Sequence, residues 1–277
     1  MTAMTIDASG FNFVRQLLRE RAAIVLDDDK QYLVANRLSQ LARREGMASA
    51  RDVIDQLRAA PGGPLQRKVI EAMTTTETLF FRDGKPYEAL RNAIVPELIR
   101  LRTAERKLQI WSCACSSGQE PYSVGMLLRE YFPGLAGWDV RLVATDISTE
   151  MLARSRTGRY SQLEINRGLP IKLLGKYFHR VGRDWQIRDD LRQMIEFREL
   201  NLAGPWGSIV PADLVLLRNV LIYFDLATRR QILGKVRKLL RPGGFLVLGT
   251  AETTMDITDG FELIRSDGTA YYRRSTS

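Results

Sequence analysis

Chemistry is first suggested by a carboxylate placed two residues after a run of small side chains. The stretch is Ile110-Trp111-Ser112-Cys113-Ala114-Cys115-Ser116-Ser117-Gly118-Gln119-Glu120-Pro121-Tyr122-Ser123. Leu108 to Trp111 alternates apolar and polar residues, which suits a strand entering a tight bend. Ser116, Ser117 and Gly118 are small enough for a ligand to lie against the backbone. Pro121 is compatible with the first turn of a helix, and Val124, Met126, Leu127, Leu128 and Tyr131 continue at helical spacing. Strand, small-residue turn and helix together are how a doubly wound sheet holds a nucleotide-like ligand. An ordinary strand-to-helix turn would carry the same pattern. No Gly-x-Gly-x-x-Gly or Gly-Lys-Ser/Thr phosphate loop is present. Glu120, at the helix start, would repel a pyrophosphate and suits a cationic group such as an ammonium.

A second acidic position follows. Val140 to Ala144 reads as a strand ending at Thr145-Asp146-Ile147-Ser148, and Asp146 lies 28 residues beyond Gly118. That is close to the interval of about 20 residues at which an acid ending the second strand binds ribose hydroxyls. Asp213 to Leu217 is a continuous apolar strand, as expected of one buried on both faces. It delivers Arg218 and Asn219 to its carboxyl end, where open parallel sheets bind ligands. Thr74 to Asp83 is a hydroxyl-rich run followed by two aromatics and an arginine, able to reach a cleft with its polar residues while Phe80 and Phe81 pack.

The elements that position these residues fall into an order. Residues 1–74 read as an all-α N-terminal domain, 75–92 as a linker contributing to a cofactor site, and 93–277 as an α/β domain. The helical part has amphipathic segments around Leu17, Leu38, Ile54 and Ile70, broken at Pro61-Gly62-Gly63-Pro64. Arg37, Arg43 and Arg44 are either a basic docking face or a solvated one. Residues 86–104 form a helix, and Ser148 caps a helix over 149–156. From about 158 to 200 the alternation lapses into a small inserted β-subdomain: a helix over 169–178, strands at 185–187 and 194–198, and a turn at Gly182. An amphipathic helix over 226–240 stops at Arg241-Pro242-Gly243-Gly244, a strand follows over 245–249, and a hairpin turns at Ser266-Asp267-Gly268.

Composition bounds the rest. With 277 residues, 45% of them hydrophobic, the chain can bury a large core. No apolar run approaches the ~20 residues of a membrane span. The N-terminus lacks a basic start and an apolar signal core, so a cytoplasmic location is expected. Net charge is +9, with residues 111–153 acidic and 154–199 basic, which favours an acidic partner, nucleic acid or protein. Cys113 and Cys115 are the only cysteines. Zinc wants about four ligands, so no metal site is expected. The single His179 is expected at the surface or in packing, and Glu252 and Asp256 are expected to be solvated.

These features together resemble the S-adenosylmethionine-dependent methyltransferase fold. Thr76-Glu77-Thr78-Leu79-Phe80-Phe81-Arg82, the Ser116–Ser123 stretch, Thr145-Asp146-Ile147, Asn201-Leu202 and Arg218-Asn219-Val220-Leu221-Ile222-Tyr223-Phe224-Asp225 narrow the match. They are similar to the chemotaxis receptor glutamate methyltransferases, the CheR family, over nearly the whole chain. The resemblance implies a doubly wound, mostly parallel sheet. It implies cofactor contacts at Thr76, Thr78, Arg82, Glu120, Asp146, Asn201, Leu202, Arg218 and Asn219. It also implies S-adenosyl-L-methionine as cofactor and S-adenosyl-L-homocysteine as product, and Arg82 and Tyr223 on the acceptor side. A core aromatic near a strand end is the alternative reading of Tyr223.

The implied partners are the cytoplasmic methylation helices of chemotaxis receptors, modified by a monomer with no membrane insertion and no nucleic acid. Two departures stand out. Thr76 occupies a position where the family usually has Asn, and the turn around Gly182 is shorter than in members that grip a receptor tail peptide, which speaks against tethering. The implied reaction needs no strong base, because a glutamate is already ionised at pH 7. A nucleic-acid methyltransferase is the first rival, but the Asp/Asn-Pro-Pro-Tyr segment and a Pro-Cys nucleophile are both missing. A non-catalytic cofactor-binding module is the second, and Arg82 and Tyr223 argue against it.

Overall fold

The computed structural model describes residues 6–207, 209–266 and 268–275. The expected tip of the C-terminal hairpin at Asp267 lies outside them. The chain divides into two units, one of residues 1–75 with 223–225 and one of 76–222 with 226–277.

The first unit is helical. Helices α1 (Ala8–Ala22), α2 (Gln31–Arg44), α3 (Ala50–Ala59) and α4 (Pro64–Met73) bury Leu18, Val34, Leu38, Leu57 and Val69. Local chemistry sets their starts. Asp7 accepts from the Gly10 amide, Ser49 and Asp52 form a reciprocal capping box, and Pro64 opens α4. Arg37 is half-buried, donating to the carbonyls of Thr74 at 2.9 Å and Ala72 at 3.4 Å, so it is spent on the end of α4. Arg43 and Arg44 are exposed. Residues 223–225 complete the unit: the Val25 amide donates to the Tyr223 carbonyl at 3.0 Å, and Ile24 bridges Phe224.

The second unit is α/β. Helix α5 (Lys85–Ala89) passes through a π-helical turn at Leu90–Ile94 into α6 (Val95–Arg102), where the sequence suggests one uninterrupted helix. Then come β1 (Lys107–Cys113), α7 (Gln119–Tyr131), β2 (Asp139–Asp146) and α8 (Thr149–Thr157), the last capped by Ser148 as expected. The connection that follows holds β3 (Arg159–Tyr160), α9 (Gln162–Asn166), α10 (Ile171–Tyr177), β4 (Phe178–Val181), β5 (Asp184–Ile187) and α11 (Asp189–Arg192). After it run β6 (Ile195–Glu199), β7 (Ala212–Leu217), α12 (Leu226–Leu239), β8 (Leu240–Leu248), β9 (Phe261–Ser266) and β10 (Thr269–Arg274).

The main sheet has seven strands in the order β6-β2-β1-β7-β8-β10-β9. Its first five strands are parallel, and β10 and β9 close the far edge antiparallel. Ile110 sits between Leu142 and Leu214, which brings the carboxyl ends of β1, β2 and β7 to one edge. The small antiparallel sheet β3-β5-β4 is the inserted subdomain. The strand expected within it at 194–198 is instead β6, paired with β2 in the main sheet. Its apolar Ile195 and Phe197 are buried, as an edge strand with one covered face requires. His179 is exposed on β4. Among the described residues no helix is long and apolar enough to cross a membrane, and no cluster of His, Cys, Asp or Glu could hold a metal.

Asp213, fully buried near the start of β7, ties neighbouring elements together. It accepts from Arg102 Nε at 2.6 Å, from the Gln109 amide at 2.8 Å and from Arg241 at 3.3 Å. A buried carboxylate is tolerated because it is paired and hydrogen-bonded.

Candidate active site

The turn after β1 does what its small residues suggest. Ala114, Ser116 and Gly118 all have positive φ, at 49°, 49° and 91°, so the chain coils tightly before α7 begins. Gly118 is needed twice over, because a Cβ there would also lie 3.0 Å from Ser155 Oγ. Tyr160 donates to the Ser117 carbonyl and Ser155 to the Ser116 carbonyl, pinning the turn from behind.

Asp146, at the carboxyl end of β2, is only 9% exposed. Its Oδ2 accepts from the Ser116 amide at 2.7 Å and its Oδ1 from the Ser148 amide at 2.8 Å. Two backbone amides thus aim a carboxylate, a group whose chemistry suits the hydroxyls of a vicinal diol. Asn201 accepts from the Ala203 amide, and the buried Leu202 accepts through its carbonyl from Trp206 Nε1. Trp206 meets Trp111 edge to face at 4.9 Å, with Lys235 over its ring.

Glu120, read from the sequence as suited to a cationic group, is engaged by two side chains of this chain. Ser112 Oγ donates to its Oε1 at 2.8 Å, and Arg218 Nη1 to its Oε2 at 3.0 Å. Arg218 in turn donates to the Arg82 carbonyl at 2.9 Å and to Asp83 at 2.8 Å, and lies over the Tyr87 ring. Burial works against the charge of this guanidinium, but Glu120, Tyr87 and Asp83 outweigh it and hold its pKa above the ordinary value. Burial, then Glu120, pushes the Tyr87 hydroxyl well above the usual tyrosine range. Arg218 Nε is a buried donor with no hydrogen-bond partner among the described residues. An oxygen of a bound ligand would satisfy such a group.

The segment before α5 crosses the same region. Ser116 Oγ donates to the Thr76 carbonyl at 2.6 Å, and Ser123 Oγ accepts from the Phe81 amide at 3.0 Å. Thr78 is half-buried, and the Arg82 guanidinium donates to the Glu77 carbonyl at 3.1 Å. Phe81 and Asp83 have positive φ, and Phe80 is fully buried against Tyr160 and Phe178. Gly168 makes this packing possible: a Cβ there would lie 2.1 Å from the Phe80 carbonyl oxygen.

Of the residues singled out in the sequence, Thr76 and Asp146 are hydrogen-bonded to Ser116, and Glu120 and the Arg82 carbonyl to Arg218. Tyr223 belongs to the helical unit. Sequence reading missed Ser112, whose partner Glu120 is eight residues on, and Asp83 and Gly168, whose partners Arg218 and Phe80 are distant in the chain. It also misjudged Glu252. That residue is half-buried, and both its oxygens accept from backbone amides: Asn219 at 2.7 Å, Gly249 at 2.8 Å, Val220 at 2.9 Å and Leu221 at 2.7 Å. A carboxylate three residues after a strand-ending glycine was the available signal.

The site suits an adenosyl sulfonium amino acid in kind. It offers a buried acid for ribose hydroxyls, a tight turn without bulk, a carboxylate at a helix start, and a buried arginine donor without a partner. Residues 76–270 match the model of the CheR methyltransferase S-adenosylmethionine-binding domain, and residues 9–74 match the model of the CheR all-alpha domain. The chain is 40% identical over 266 residues to chemotaxis protein methyltransferase Cher2 of Pseudomonas putida, covering 94% of this chain and 96% of that one. It is 39% identical over 274 residues to chemotaxis protein methyltransferase 1 of Pseudomonas aeruginosa, covering 98% and 99%. It is 36% identical over 277 residues to the chemotaxis protein methyltransferase of Vibrio parahaemolyticus, covering 99% of each. The two family models together account for most of residues 9–270, and the chain belongs to the CheR methyltransferase family.

Proposed function

We propose that this methyltransferase forms methyl esters on glutamate side chains in the cytoplasmic helices of chemotaxis receptors. The observation that carries the cofactor side is Asp146, buried at the carboxyl end of β2 and aimed by the amides of Ser116 and Ser148. Asp146 takes the ribose hydroxyls, Glu120 and Arg218 the charged amino-acid end, and Asn201 and Leu202 the adenine edge. Thr76, Thr78, Arg82 and Asn219 complete the cofactor contacts. Bound there, S-adenosylmethionine supplies an electrophilic methyl group. The acceptor glutamate is ionised at neutral pH, so no residue of this chain has to remove a proton. What remains is alignment, and holding two reactants in line can contribute ~7–11 kcal/mol. Arg82 and Tyr223 are assigned to that task, the guanidinium fixing the acceptor's charge and the phenol donating to it.

Transfer from methyl-labelled S-adenosylmethionine to receptor cytoplasmic fragments tests the reading. Base-labile label on glutamates is expected. Label on nucleic acid, or none on any carboxylate, would overturn it. Within the same assay Tyr223→Phe should lower kcat while S-adenosylhomocysteine affinity stays within about twofold, since a lost hydrogen bond made only to the acceptor acts on turnover.

A further inference from the structure

We propose that Glu252 is a positioning residue for methyl transfer, acting through the turn at the carboxyl end of β7. This rests on the reading above. Four backbone amides converge on one carboxylate: Oε2 accepts from Asn219 and Gly249, and Oε1 from Val220 and Leu221, all within 2.7–2.9 Å. Three of those donors are consecutive residues lying 31 to 33 positions away in sequence. They follow Arg218 directly, with Asn219 in the left-handed region at φ 58°. The chain then enters a short 3-10 turn at Leu221–Tyr223. Amide bonds to an ionised acceptor are roughly twice as strong as neutral ones, and here they fasten the end of β7 to the end of β8.

Gly249 shares the device. A Cβ on it would lie 2.7 Å from both Asn219 Nδ2 and Glu252 Oε2, so the carboxylate reaches its amides only across a glycine. The clamp therefore fixes the backbone from Asn219 to Leu221, which carries the cofactor contact Asn219. Glu252 needs no contact with either reactant to matter. Displacing a reacting group by about 1 Å can cost on the order of 100-fold in rate.

Full-length Glu252→Gln, Gly249→Ala and the double variant would be assayed with a receptor cytoplasmic fragment at saturating S-adenosylmethionine. Folded sites would be counted by S-adenosylhomocysteine calorimetry and melting temperatures recorded. Glutamine is isosteric but turns an NH2 group toward two backbone N–H donors, so kcat per folded site should fall about 10- to 100-fold. Gly249→Ala should do the same from the other side. Because both break one device, the double variant should be no slower than the worse single variant. Undiminished kcat in Glu252→Gln, whatever its melting temperature, overturns the inference, and that variant decides alone if Gly249→Ala does not fold. A double variant slowed by the product of the two single effects overturns it as well. A wild-type chain that methylates no carboxylate overturns the function reading and this inference with it. Active wild type with equally active variants overturns only the inference.

Discussion

Arg218→Met removes the cation on which two carboxylates depend while keeping most of the side-chain volume. The Arg218 side chain is 1% exposed and that of Glu120 is 11% exposed, so their pairing is sheltered from water. Asp83, the second partner, has a side chain 30% exposed and is partly screened by solvent. Removing one member of a buried pair strands the other, at a cost of about 3–5 kcal/mol. Most of that penalty comes from the uncompensated charge on Glu120, so adding Glu120→Gln to the methionine variant should recover roughly half or more of it. Urea unfolding followed by tryptophan fluorescence measures this in the correct unit, because Trp111, Trp138, Trp185 and Trp206 all lie in the α/β unit. A loss below ~1 kcal/mol for Arg218→Met, or a double variant no more stable than the single one, would refute the reasoning. Either result would mean that the pair carries little net interaction.

Further tests address other parts of the molecule. Gly168→Ala would put a methyl group against the Phe80 carbonyl at φ 104°, costing at least about 1–3 kcal/mol for the backbone alone. Its melting temperature and S-adenosylhomocysteine affinity should both fall, and two unchanged values would show that the 76–82 segment has room to move. Burial holds the thiols of Cys113 and Cys115 well above their ordinary pKa, so both should resist a thiol reagent in the native chain and react promptly in urea; fast native labelling would contradict their placement. Hydrogen bonds from Lys176 and Tyr177 lower the Glu130 pKa. The stability lost in Glu130→Gln should therefore be greatest above pH 4.5, the ordinary value, and shrink as pH falls through the lower folded value. A difference that grew on acidification would reverse that sign.

What could be read from the sequence was local. The β1 turn, the Ser148 cap and Asp146 at a strand end follow from residue types a few positions apart, and the structure places all three as expected. The strand expected at 194–198 was also visible as a strand, but nothing in its five residues says which sheet it joins. That depends on pairing with β2, about fifty residues earlier. Arg218 was legible as a residue at the mouth of the sheet, yet its bonds to Asp83 and Glu120 span 135 and 98 positions. Glu252 was misjudged for the same reason. A carboxylate in a turn resembles any solvated carboxylate until the fold delivers its amide donors.

The inclusion of residues 223–225 in the helical unit bears on how the protein is made. Ile24 and Val25 find their partners only when Phe224 and Tyr223 have been synthesised. The four helices, the last ending at Met73, must therefore wait for about 150 further residues before their own unit is complete. Such a distant closure slows folding, and a fragment ending at the apparent domain boundary would be released with that seam open.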